Sequence, residues 1–144
     1  MKKAKALLTP LPKSRPLPRY ATRLLGAALA ATAYVVCLPW DLRNRPEAPG
    51  AIDETSPVTA LGLTALTLAL AALAAYSGIR DRPVWTLLTV AAPPSTLLFV
   101  SLDTHPTPDA DAWQVAWASF TLVMGAGALV VAWLADRATR GPLS

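Results

Sequence analysis

Four stretches of the chain contain no Asp, Glu, Lys or Arg: residues 24–40, 55–79, 83–102 and 112–135. Each approaches or exceeds the roughly 20 apolar residues needed to cross about 30 Å of hydrocarbon. One such run can be a buried core helix in a soluble domain. Four of them in a chain of 144 residues cannot all be buried by one another in water. The pattern predicts transmembrane helices over 20–40, 58–79, 83–102 and 112–135. The expected fold class is therefore all-α, an integral membrane antiparallel four-helix bundle with short connections. A basic, Pro-rich tail (1–19) precedes this 20–135 domain, a short tail (136–144) follows it, and the connections fall at 41–57, 80–82 and 103–111.

Aromatic residues mark the helix ends, since such rings settle at the headgroup boundary. Tyr20 and Trp40 are 20 residues apart, as are Trp113 and Trp133. At 1.5 Å per residue each interval covers about 30 Å. Tyr76, Trp85 and Trp117 fall near boundaries as well. Orientation follows from the basic residues. Lys2, Lys3, Lys5, Lys13, Arg15, Arg19, Arg23, Arg80, Arg82, Arg137 and Arg140 all belong to one side, which holds eleven of the thirteen. The other side has only Arg43 and Arg45, against Asp41, Glu47, Asp53, Glu54, Asp103, Asp109 and Asp111. Basic residues stay on the cytoplasmic side, so both termini are expected there.

Composition adds little that changes this picture. Hydrophobic residues make up 53% and charged residues 15% of the chain, a balance that a small soluble domain does not show. The formal charge of +4 is segregated to the segments outside the spans and is no sign of nucleic-acid binding. Cys37 is the single cysteine, which excludes an intramolecular disulfide and a multi-cysteine metal site. The abundance of alanine and the excess of arginine over lysine associate with a GC-rich bacterial source, hence the bacterial cytoplasmic membrane. The basic region ahead of the first run is long for a signal peptide. It has no twin-arginine pair, and Val36 stands where a lipoprotein signal needs a small residue, so the first span reads as a retained helix.

The tail Leu8–Arg19 alternates proline with basic residues, which favours extended backbone and predicts a mostly disordered segment, foremost a topology signal with a solvated tail and otherwise a segment able to dock a groove or anionic lipid. The motifs Asp41-x4-Pro46-Glu47 and Asp103-x4-Pro108-Asp109 open the two acidic loops alike, too short a match to establish a repeat.

Candidate chemistry is sparse. No ionisable side chain lies deep in any span, which argues against ion-coupled transport, and no intramembrane histidine is present to hold a haem. No cofactor is implied. The main irregularity is Pro93-Pro94 in the third span, where two backbone donors are missing and the carbonyls of Thr89 and Val90 lose their partners. Lipid cannot satisfy them, so hydroxyls from Thr89, Ser95 and Thr96, or another helix, are expected to do so. With Thr32, Thr67 and Thr121 at similar depth, these residues define either a structural kink or a midplane ligand site. A second candidate is the acidic loop, where Asp103, His105, Asp109 and Asp111 fall within nine residues and form either a divalent-cation site or a solvated loop.

Small residues are placed for close helix packing: Gly26, Ala27, Ala30 and Ala31 in the first span, Ala60, Thr64, Ala71, Ala72 and Ala75 in the second, Thr121, Gly125 and Ala128 in the fourth. They suit self-association or another membrane protein as partner, within the lipid bilayer. The leading functional expectation is a non-enzymatic accessory or interaction subunit. The alternative is a passive transporter or small-molecule binder, oligomeric, built around the Pro93-Pro94 break. A membrane enzyme using the acidic loop ranks third. The charge split yields a direct prediction. A reporter fused at the C-terminus should behave as cytoplasmic and one inserted near Pro49 as external; an external C-terminus would require an odd number of spans and reject the topology.

Overall fold

A computed structural model describes residues 2–106 and 112–141. The protein is mostly helical, and four of its helices are long and apolar enough to cross a membrane: Pro16–Cys37, Ala60–Arg80, Pro83–Thr104 and Ala112–Arg140. In chain order the elements are α1 (Lys2–Leu7), α2 (Pro16–Cys37), a two-stranded antiparallel pair β1 (Arg45–Pro46) and β2 (Glu54–Thr55), and α3 (Ala60–Arg80). A 3-10 turn (Pro83–Trp85) and a π-turn segment (Leu87–Ala91) then run into α4 (Ala92–Thr104), and α5 (Ala112–Arg140) closes the fold.

Several boundaries differ from the sequence expectation for identifiable reasons. The first span begins at Pro16 rather than 20, because proline at the first helical position lacks only a donor that would have no helical partner there. It stops at Cys37 rather than 40. Leu38 precedes Pro39, which disfavours helical backbone, and Leu38 is extended (φ −119°, ψ 141°). Trp40 therefore lies outside the helix, and the Tyr20–Trp40 ruler is not one continuous helix. The second span starts with a cap, the Thr59 side chain accepting from the Gly62 N–H at 3.0 Å. The fourth span continues through Arg140 into the expected tail and ends at Gly141, whose φ of +75° suits glycine alone.

The N-terminal tail contains α1 and is fastened to the end of α3. The Arg80 guanidinium donates to the carbonyls of Ala6 (2.7 Å) and Thr9 (2.8 Å), and the Leu11 N–H donates to the Arg80 carbonyl (3.0 Å). Proline spacing opposes a long helix here; it does not oppose docking of extended backbone on a cation. The 41–57 loop is likewise ordered: Ala51 N–H donates to Ala48 C=O at 3.0 Å across Pro49-Gly50, with φ +83° at Gly50, as a type II turn requires.

The core is a strip of Ala30, Tyr34 and Leu38 from α2, Leu66, Leu70 and Ala74 from α3, Val90 and Leu98 from the third span, and Ala128 from α5. The third span is the innermost: 44% of its apolar window is buried, against 11–17% for the other three. Glycines set the closest approaches. A Cβ at Gly78 would run into the backbone of Ala132, and one at Gly62 into the Cys37 carbonyl. At Gly127 a Cβ would meet nothing. Gly78→Ala is expected to lower stability by about 1–3 kcal/mol, since α3 and α5 must move apart. Gly127→Ala should be neutral or raise stability by up to about 1 kcal/mol through helix propensity. Thermal unfolding of both variants in one detergent checks the pair, and equal losses would contradict the packing.

Candidate functional site

The five residues expected at the midplane all belong to the third span. Pro94 is fully buried and Pro93 half-buried at the start of α4, directly after the π-turn segment, in which Ala92 N–H reaches back five residues to the Leu87 carbonyl. Thr89 donates to the Trp85 carbonyl (3.0 Å) and exposed Thr96 to the Ala92 carbonyl (2.9 Å), both within their own span. Thr32 and Thr67 do the same on α2 and α3, donating to Ala28 and Leu63. Ser95 alone reaches across. Its hydroxyl pairs with that of Thr121 at 2.6 Å, and its carbonyl accepts from the Trp117 indole N–H at 3.0 Å. The break thus forms a polar stitch between the third span and α5, braced by Phe99 lying edge-on to Trp113 and Trp117 with ring centroids 5.4 Å apart.

In the acidic loops, Asp103 is exposed, and His105 Nδ1 lies 3.2 Å from the Ser101 carbonyl. Asp109 and Asp111 lie outside the described residues. Asp41 is occupied by Arg43. That guanidinium donates to both carboxylate oxygens (2.9 and 2.8 Å) and, with the Arg43 backbone N–H, holds the Asp41 carboxyl well below the usual range. Among the described residues no three His, Cys, Asp or Glu side chains come together to hold a metal.

Two features are more developed than either candidate. The first is a charged cluster where α2 begins and α3 ends. Asp81, with only 5% of its side chain exposed, accepts from Arg23 Nε at 2.6 Å, from Arg19 at 3.1 Å and from the Arg82 backbone N–H at 2.8 Å. Arg23 also stacks on Trp85, 3.8 Å from the ring centroid. Burial alone pushes the Asp81 carboxyl up, but these hydrogen bonds outweigh it and leave it below the ordinary carboxylate value. A hollow of about 40 Å³ beside the cluster, bordered by Thr22, Ser77 and Thr89, is water-sized rather than substrate-sized. On the sequence alone Arg19 and Arg23 stand out only as topology signals; the signal pointing to the cluster is that Asp81 and Asp136 are the only acids on the basic side.

The second feature is an open groove of about 530 Å³ between α3 and α5, bordered by Leu66, Leu70 and Ala128 of the core strip. Leu63, Leu66 and Leu70 face Phe120, Val123, Met124 and Val131 across it, with Gly127 and Ala71 on its floor and Thr67 and Ser119 its only polar lining residues. Comparison of the chain with protein-family models, curated proteins and solved structures gave no match.

The cluster predicts a pH dependence. Because the folded-state pKa of Asp81 is depressed, its contribution is fully present above the unfolded value of about 3.9 and is lost as pH falls through the folded value. Asp81→Asn should lower stability by about 2 kcal/mol near neutral pH, since two arginines lose their counter-charge. The thermal midpoint of the variant should then change less than that of the parent between about pH 6 and about pH 3. Parallel curves for the two proteins would show that the ion cluster contributes nothing.

Proposed function

We propose that this chain is a four-span antiparallel membrane bundle acting as a non-enzymatic interaction subunit, with both termini on the cytoplasmic side of a bacterial cytoplasmic membrane. Four helices of spanning length support the membrane assignment, and the segregation of basic residues supports the orientation. The up-down order is supported by the pairing of the start of α2 with the end of α3 at Asp81, and by the Ser95–Thr121 and Phe99–Trp113 contacts that run α4 against α5.

The observation that carries the interaction reading is Gly127. Gly26, Gly62, Gly78 and Gly125 each sit against another helix or the end of one, while Gly127 opens onto the α3–α5 groove with nothing against it. In lipid, helix association depends on backbone approach and side-chain packing, which a bare glycine in an apolar groove provides. The fitting partner is a transmembrane helix, from a second copy or another membrane protein. The alternative, a passive transporter or binder at the Pro93-Pro94 break, has the π-turn in its favour, because such segments recur at functional sites. It ranks second because Thr89, Thr96, Ser95 and Thr121 already bond within the fold.

Native mass spectrometry and pull-down from mild detergent test the two readings on the same variants. Gly127→Leu should keep the fold and lose the bound helix or dimer, while Pro93→Ala with Pro94→Ala should retain it. A monomeric parent with no co-purifying membrane protein would reject the interaction reading. Loss of a small ligand or of flux in the double-alanine variant would move the midplane site to the front.

A further inference from the structure

The basic end of the molecule carries more than a topology signal. Its two acids are used internally, Asp81 by Arg19 and Arg23 and Asp136 by Arg140. Among the described residues no acid pairs with Lys3, Lys5, Lys13, Arg15, Arg82 or Arg137, and all six are exposed. The cations of the tail are not free to drift away from the bundle, because Arg80 binds the carbonyls of Ala6 and Thr9 and Leu11 binds back to Arg80. That anchorage brings the tail to the level of Trp85, beside the end of α3. Arg137 stacks on Trp133 at the corresponding level of α5, 4.2 Å from the ring centroid. Interleaved with the cations are large apolar side chains left uncovered: Leu7 is 58% exposed, Leu8 55% and Leu17 81%.

We propose that the N-terminal segment, residues 2–17, lies on the membrane face of the basic end as a docking surface for anionic phospholipid headgroups, its cations against the phosphates and Leu7, Leu8 and Leu17 dipping among the acyl chains. The inference rests on the membrane reading above. The choice of a lipid surface over a soluble acidic partner comes from the combination itself. Cations with no internal counter-charge match an anionic leaflet, and exposed leucines among them match its apolar layer; neither an acidic protein nor free phosphate uses both. Without Arg80 the same residues would be a flexible polybasic tail. Its hydrogen bonds hold the segment at the depth of the interfacial tryptophans.

The test uses the full chain in nanodiscs, where both faces are open to protease, and reads trypsin cleavage after Lys13. Discs of phosphatidylcholine are compared with discs of an equal mixture of phosphatidylcholine and phosphatidylglycerol. The mixed discs should slow cleavage roughly tenfold or more, and the effect should vanish near 1 M salt, where the Debye length is about 3 Å. Lys3→Gln with Lys5→Gln, and separately Leu7→Ser with Leu8→Ser, should each remove most of that slowing without changing the thermal midpoint in phosphatidylcholine discs. Equal protection in both discs would overturn the proposal, since the segment would then be held by the bundle alone. So would rapid cleavage in both, or equal protection by inorganic phosphate over phosphatidylcholine discs. Failure of the membrane reading is recognised separately, by release of the protein from cell membranes in an alkaline carbonate wash.

Discussion

Asp81 sits at the C-terminal end of α3, where the helix dipole is negative and a carboxylate is least welcome. It is also nearly withdrawn from water, so its charge persists only because cations and N–H donors replace its hydration. Arg19 and Arg23, one turn apart on α2, supply that replacement, and in doing so they fix where α2 begins relative to the end of α3. Stacking on Trp85 holds Arg23 in place and ties the start of the third span to the same point. The neighbouring Arg80 fastens the N-terminal segment through two carbonyls. Four parts of the chain therefore meet at one short turn, where the start of α2, the end of α3 and the start of the third span are held together by charge as well as by the apolar strip they share.

A second constraint acts inside the bundle. The third span lacks two backbone donors at Pro93-Pro94, and hydrocarbon offers no substitute. That span lies innermost and the turn before the prolines takes π geometry, while the hydroxyls of Thr89, Ser95 and Thr96 go to the Trp85 carbonyl, the Thr121 hydroxyl and the Ala92 carbonyl rather than to the freed carbonyls of Thr89 and Val90. Trp117 and Thr121 of α5 then reach the Ser95 carbonyl and hydroxyl. Helix order and helix irregularity are linked here: the helix least able to face lipid is the one the others surround. The close Gly78–Ala132 approach brings α3 against α5 on one side of it, which keeps the enclosing layer continuous there.

Much of this fold was legible in the sequence because membranes impose long, coarse signals. Charge-free runs located four helices to within a few residues, as their length is fixed by hydrocarbon thickness rather than by local propensity. The misplaced boundaries arose where one residue outweighed the run. Pro39 ended α2 through its effect on Leu38, and Pro16 started it early. The docked tail was not legible, because it depends on Arg80, 74 residues from Ala6. The Asp81 cluster was hidden for the same reason: a count of cations per side records Arg19 and Arg23 but not the carboxylate they enclose. Of the small residues expected to pack, Gly26, Ala30 and Ala128 lie against neighbouring elements, whereas Ala60, Thr64 and Ala72 are exposed, and Gly127, outside that pattern, is open as well.

What the fold leaves unused is what the proposed interaction role is argued from. An active site in lipid needs polar groups held ready but not yet satisfied, because the substrate must complete them. Here the candidate hydroxyls of Thr89 and Thr96 bond their own span, and those of Ser95 and Thr121 bond each other. The acidic-loop carboxylate of Asp41 is enclosed by Arg43. The unspent features are of a different kind: an apolar groove floored by a bare glycine at membrane depth, and unpaired cations with uncovered leucines at one end. The first has the shape and apolar lining that a neighbouring helix fills, and the second has the cations and leucines that an anionic apolar surface matches, and the proposed interaction role rests on these two surfaces.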